Sequence, residues 1–465
     1  MEARRPLFPS MRWIGSALVL LFGCAPAWDG EVARPGVTDL DPDPRVIEID
    51  LVAQPTTLEV RPGRASAVYG YDGLVPGPHI EANVGDRLIV HFRNELPEET
   101  TIHWHGVRVP NAMDGVPGHT QAPVPPGGTF EYAFELPDEG LYWFHPHSRS
   151  AAQVAAGLYG TILVRAPDEP EVPELVLVLS DIAVDEEGVL LPPDIGGPLA
   201  SVFGREGDII LVNGRVHPTV HVRPGQTVRL RIVNAAISRY MNLRLDRTRF
   251  RVVGGDRGLN PRAEMVDTLL VLPGQRVDAV VTLTRSGVVP LSWVPFDRGF
   301  GSTEFREPEP ILSFSVEGLG VTAEPVVFPS REITPIDRTG ATLIEANIVL
   351  GTLDGHDAFR FDGVPGWPDA PLPAAVGETQ VFHFTNTSSW SHPIHLHGFF
   401  FQEVIDGRTD GIWRDTIDVP HGGEATFAVT YEDRPGMWMF HCHILDHHEL
   451  GMMGMIDLGG VGHMH

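Results

Sequence analysis

"VGDRLIVHFRN", residues 84–94, opens on a glycine and closes on an asparagine nine residues later, with an alternating run between them. Alternation of this kind marks a half-buried β-strand. The same frame returns as "RPGQTVRLRIVN" at 223–234 and "VGETQVFHFTN" at 376–386, with Gly85, Gly225 and Gly377 at the start and Asn94, Asn234 and Asn386 at the end. Short β-patterned runs separated by proline and glycine fill the remainder, and no long amphipathic helix interrupts them. The reading is an all-β chain of three consecutive β-sandwiches, each of about 130 residues. Its divisions fall at 45–167, 168–325 and 326–465, after a leader at 1–24 and a Pro/Asp-rich spacer at 25–44.

Counting onward from the repeat locates the chemistry. Nine residues past Asn94 stands His103 of "HWHG"; nine past Asn386 stands His395 of "HLHG"; nine past Asn234 stands Leu243. His103 and His105 therefore align with Leu243 and Leu245, and then with His395 and His397. Further on, "VPPGGTFEYAFELPDEGLYWFHPHS" (124–148) matches "VPHGGEATFAVTYEDRPGMWMFHCHI" (419–444). This places His145 and His147 opposite His441 and His443, and Pro146 opposite Cys442. A core position explains the leucines; it does not explain the pairs. The chain carries 21 histidines and five H-x-H pairs, where composition alone gives about one. The fifth pair, His463 and His465, is tail composition, and the other four sit at matching points of a repeat.

Alternating side chains point to opposite faces of a strand. In "HCH" the Cys442 sulfur thus faces away from His441 and His443, and one strand can serve two metal sites. His392, His447 and Met452 complete the cysteine side. Two histidines, a thiolate and a distant thioether are the donor set of a blue-copper centre, for which zinc is the main rival.

The motifs "HWHG", "HPHS", "HPIHLHG" and "HCHILDHHELGMM" resemble, in order and spacing, those of three-domain multicopper oxidases of the bacterial laccase-like group, over about residues 45–458. The resemblance implies three cupredoxin-like Greek-key sandwiches and four copper ions. His392, Cys442, His447 and Met452 match the type 1 ligands, with Met453 as an axial alternative, and His103 and His395 match the type 2 ligands. His105, His145 and His443, with His147, His397 and His441, match the type 3 pair. It further implies electron passage along Cys442, a proton role for Asp114, and dioxygen as acceptor. Where many relatives have an acid after the last type 1 histidine, this chain has His448, with Asp446 and Glu449 beside it.

Composition narrows the partners. With 42% hydrophobic and 20% charged residues the chain is a globular protein, and its net charge of −27 argues against nucleic acid. Every basic residue is arginine, which reads as base-composition bias. Arg4, Arg5 and Arg12 precede the apolar run "WIGSALVLLFG", as in an export signal. "LFGC" resembles a lipobox, which would lipidate Cys24 and make that anchor the only membrane contact; simple cleavage, or a start at Met11, are the alternatives. The expected location is the periplasm or cell envelope, where Cys442 lacks a disulfide partner. The approach to the "HPIHLHG" motif holds Ser388 and Trp390 and no methionine, and the methionines read as scattered outside the copper loop. Relatives that oxidise cuprous ion usually carry a methionine-rich insert and acidic or thioether residues before this motif, so the resemblance implies phenolic or other organic reductants ahead of cuprous ion. A copper-sequestering or non-catalytic envelope protein is the alternative from another class. His119, His383 and His421 read as surface or strand histidines.

Overall fold

The computed structural model describes residues 32–192, 202–299, 303, 306–323, 325–353, 356–365 and 369–459. The expectations for the leader, Cys24, His463 and His465 lie outside the described residues.

Three pairs of sheets make up the fold. The first pair is a four-stranded sheet in the order Arg64–Tyr71, Val46–Arg61, Arg87–Asn94, Thr129–Glu135, with a second in the order His79–Asn83, Gly160–Arg165, Gly140–His145, His103–His105. Ile49, Val90, Ile80, Val164 and Trp104 from both sheets form one buried core, which is what makes the pair a sandwich. The middle pair has six and five strands and includes Gln226–Asn234 and Met241–Leu245; the last pair, also six and five, includes Thr379–Asn386, His392–Leu396 and Gly436–Cys442. Each has its own core. Leu243 and Leu245 pack inside the middle one, as their alignment with histidines of the outer sandwiches requires of apolar substitutes.

The repeated asparagine has one job in all three copies. Asn94 Nδ2 donates to the carbonyls of Glu98 and Val124, while its Oδ1 accepts from Leu96 N–H. Asn234 does the same with Arg239, Val271 and Ala236, and Asn386 with Trp390, Val419 and Ser388. The side chain closes a local turn and staples it to another strand, satisfying backbone groups that burial would otherwise strand. In each outer copy the turn so fixed leads into a histidine strand. The glycine at the other end has φ of +84°, +86° and +82° at Gly85, Gly225 and Gly377, a region that L side chains avoid.

The three sandwiches meet around the "HPHS" strand. Leu141, Trp143 and Val154 pack there with Val178, Val233 and Ile237 of the middle sandwich and Leu445 of the last.

Candidate metal centre

Strand pairing sets the histidine pairs side by side. His103 lies opposite His145 in one sandwich, and His395 opposite His441 in another. Since His103, His105, His395 and His441 all occupy strands and are fully buried, their rings have fixed directions. Four groups of histidine and cysteine donor atoms result, each with its atoms within 4.8 Å of one another: His103, His105 and His395; His105, His145 and His443; His147, His397 and His441; and His392, Cys442 and His447. Every histidine matched to a copper in the four motifs falls into one of them, and His448 falls into none.

The cysteine group is compact. Cys442 Sγ lies 3.6 Å from His392 Nδ1 and 3.5 Å from His447 Nδ1, and the two nitrogens lie 3.2 Å apart. His447 Nε2–H donates to the Val202 carbonyl at 2.8 Å, and His392 Nε2 is 3.2 Å from Ser388 Oγ. These outer partners leave each Nδ1 lone pair pointing inward, the usual arrangement around a metal. Met452 is fully buried in the same core as Cys442, whereas Met453 lies opposite His441 on the other face of the sheet. That separation favours Met452 as the thioether on the cysteine side.

The other three groups merge into one cluster between the first and third sandwiches. His103 and His395 donate from Nδ1 to the carbonyls of Asp114 and Asp415, each at 2.9 Å, and His145 donates likewise to Pro146 at 3.0 Å. Their Nε2 atoms, with Nε2 of His147, Nδ1 of His105 and both nitrogens of His443, are buried without a hydrogen-bond partner. Buried polar atoms are seldom left so. Six rings with orphaned nitrogens, drawn together in these groups, fit a resident metal cluster. Burial also holds His105, His145, His147, His397, His441 and His443 well below the ordinary imidazole value, so they stand neutral and ready to ligate. For the Cys442 thiol burial works upward, so a thiolate there needs a bound cation.

Asp114 is buried against the cluster. Its Oδ2 accepts from His397 Nδ1–H at 2.9 Å, and its Oδ1 is 3.3 Å from His103 Nδ1, so one carboxylate orients a ring from each outer sandwich. His448 packs on the rings of His147 and His441, with centroids 4.8 and 4.6 Å away, and its Nδ1 is 3.2 Å from Ser150 Oγ. Of its neighbours, Asp446 is tied to Arg205, and Glu449 accepts from Ala151 N–H.

Sequence reasoning missed Arg276, Asp256 and Asp415. Arg276 of the middle sandwich pairs with Asp415 of the last, and Asp415 in turn accepts from His105 Nε2–H of the first at 3.3 Å. The arginine keeps Asp415 well below the usual carboxylate range, while burial beside Asp415 pushes Asp256 above it. A trace was visible in "HWHG": Gly106 has φ +84°, and a Cβ there would run into Arg276 Nη2 and come within 2.7 Å of Asp415 Oδ2. The methionines also differ from expectation. Met437, Met439, Met453 and Met455, far from scattered, gather with Val116 into one cluster. His119 is exposed, His383 is a half-buried strand residue bonded to Thr426, and His421 approaches Asp297, so none joins the site.

Two linked donor sets, one thiolate-centred and one all-imidazole, on cupredoxin-like sandwiches define a copper-dependent oxidoreductase. Multicopper oxidase family models match residues 53–169, 185–288 and 350–458. The chain belongs to the multicopper oxidase family and uses dioxygen as its acceptor. It is 31% identical to multicopper oxidase MmcO of Mycobacterium tuberculosis over 89% of this chain and 87% of that one. A multicopper oxidase of Campylobacter jejuni described as a metallo-oxidase superposes with a TM-score of 0.77 at 28% identity, over 92% and 94% of the two chains. The laccase-like CueO of Ochrobactrum sp., with oxidase activity towards lignin model compounds, superposes with a TM-score of 0.79 at 25% identity, over 92% and 100%.

Proposed function

We propose that the chain is a laccase-like oxidase that couples one-electron oxidation of phenolic or similar organic reductants to four-electron reduction of dioxygen to water. Four copper ions are assigned. His392, Cys442, His447 and Met452 would hold the type 1 ion; His103 and His395 the type 2 ion; His105, His145 and His443, and His147, His397 and His441, the type 3 pair. Copper bound there supplies the redox chemistry.

The residues supply geometry and protons. From Cys442 the backbone runs directly to His441 and His443, the shortest bonded path between the donor sets, and His441 Nδ1–H donates to the Cys442 carbonyl at 2.9 Å. Asp114 orients His103 and His397 and is the carboxylate from which a proton can reach the cluster. His448, against His147 and His441, can relay one from the opposite side. Burial holds His448 down to about 4, so at neutral pH it would carry no standing charge.

The organic substrate class rests chiefly on the approach to His447. The Val202 carbonyl caps its Nε2–H, and Phe203, next in the chain, lines a cavity of about 290 Å³ with Leu190, Leu191 and Ile237. Asp181, Arg205 and Glu206 also line it, and an apolar wall with a few charged groups suits a small aromatic molecule that carries a polar substituent. The metallo-oxidase activity of the Campylobacter jejuni relative keeps cuprous ion as a second reading. Dioxygen uptake by the copper-loaded protein decides between them: turnover with a phenol supports the proposal, and turnover with cuprous ion alone overturns it.

The domain joins are placed at 167/168 and 325/326. Export with lipidation at Cys24 is the proposed route to the cell envelope; among the described residues no helix is long and apolar enough to cross a membrane. An acyl mass on the mature N-terminus tests it.

A further inference from the structure

The paired strands Gly436–Cys442 and Met453–Leu458 show two different faces. Trp438, Phe440, Cys442, Ile456 and Leu458 point into the core of the last sandwich. The opposite face carries Met437, Met439 and His441 on one strand. In register across from them stand Asp457, Met455 and Met453. Four of the chain's 11 methionines thus form a file that ends at a histidine of the cluster. Met439 and Met455 are buried, Met437 and Met453 are partly buried, and Val116, two residues past Asp114, packs on them. Asn111 Nδ2–H donates to the Met437 carbonyl at 2.6 Å, so the first sandwich roofs the file. Asp457 adds a buried Oδ1 without a hydrogen-bond partner.

The first sandwich provides an internal comparison. Its strands Gly140–His145 and Gly160–Arg165 pair in the same register, with Leu141 opposite Leu163 and Trp143 opposite Thr161. These are the positions of Met437, Asp457, Met439 and Met455, as the alignment of His145 with His441 fixes them. Leucine and tryptophan pack that surface well in one copy. Packing therefore does not call for thioethers and a carboxylate in the other.

We propose that Met437, Met439, Met453 and Met455, with Asp457, form a binding site for cuprous ion, through which copper passes to the imidazole cluster at His441. Thioethers select soft monovalent copper over the divalent cations that carboxylate and imidazole sites take. The site lies on the sheet face away from Cys442 and does not serve the reductant at His447. Met453, opposite His441, is the inner end of the file, and Met437 is the end away from the cluster.

The test uses silver(I) as the probe, because it mimics cuprous ion without redox chemistry. Copper-loaded protein should bind one additional silver ion with sulfur in its first shell by X-ray absorption. The triple variant Met437→Leu, Met439→Leu, Met455→Leu, close to volume-conserving, should bind it about tenfold or more weakly. Met241→Leu, in the middle sandwich, is the control and should bind as the parent does. In a second arm, metal-free protein is reconstituted with cuprous ion under argon, and each timed sample is freed of unbound copper and oxidised with ferricyanide before its spectrum is read, because the blue band belongs to cupric ion. The triple variant should regain its blue band at the parent's rate but fill the imidazole cluster about tenfold more slowly. Equal silver binding by the triple variant, or a first shell without sulfur, overturns the site; uniform loading overturns the passage. The loading arm rests on His441 being a cluster ligand, and the silver arm does not.

Discussion

Asp114 shows how one side chain can serve two sandwiches. Its carboxylate accepts from His397 Nδ1–H while its other oxygen approaches His103 Nδ1, and its own carbonyl accepts from His103 as well. Asparagine is nearly the same size, but its amide presents a donor where one of these contacts needs an acceptor, and it cannot pass a proton. Asp114→Asn should therefore lower dioxygen uptake by about a hundredfold. The blue absorption of the distant Cys442 centre should stay at the parent's intensity. An oxygen electrode and a visible spectrum on the same sample check both; equal loss of colour and turnover would mean that Asp114 acts only through folding.

At the scale of elements, the repeated strand and its closing asparagine matter more than any single pairing. Asn234 is the cleanest place to measure this, because its sandwich provides none of the proposed ligands. Removing its side chain leaves the Arg239 and Val271 carbonyls and the Ala236 N–H short of a partner. Asn234→Ala should cost about 2–4 kcal/mol, read as a lowered urea midpoint with an unchanged slope. The frame from glycine to asparagine was legible because it is local: turn chemistry and period-2 alternation act within a dozen residues. The H-x-H pairs were legible for the same reason, and repeat alignment added the contrast with Leu243 and Leu245. Other features depend on strand register or on contacts between sandwiches, which alternation does not encode. Met439 meets Met455 only because two strands pair across the His447 loop. Arg276 meets Asp415 across 139 positions.

Across the whole molecule, the cluster is assembled from two sandwiches and locked by the third. The chain from Arg276 through Asp415 to His105 joins all three within one buried network. Arg276→Leu would leave Asp415 buried beside Asp256 without its cation, a loss of about 3–5 kcal/mol, seen as a lower melting temperature and as copper missing from the imidazole cluster before the blue centre. The buried imidazoles set the pH response in the same global way. In the metal-free fold they are held below their ordinary value of 6.5, so beneath that pH the unfolded chain binds more protons than the folded one. Stability from this source is complete above about pH 6.5 and is lost as pH falls, by up to about 1.4 kcal/mol per pH unit for each ring. Copper occupies the same lone pairs and favours the folded state further. Thermal unfolding at pH 7.5, 6 and 5 should therefore show a melting temperature that collapses with acid in the metal-free protein and holds in the copper-loaded one. Parallel curves would mean that the rings are not the groups whose protonation opens the fold, and that copper is not bound through them.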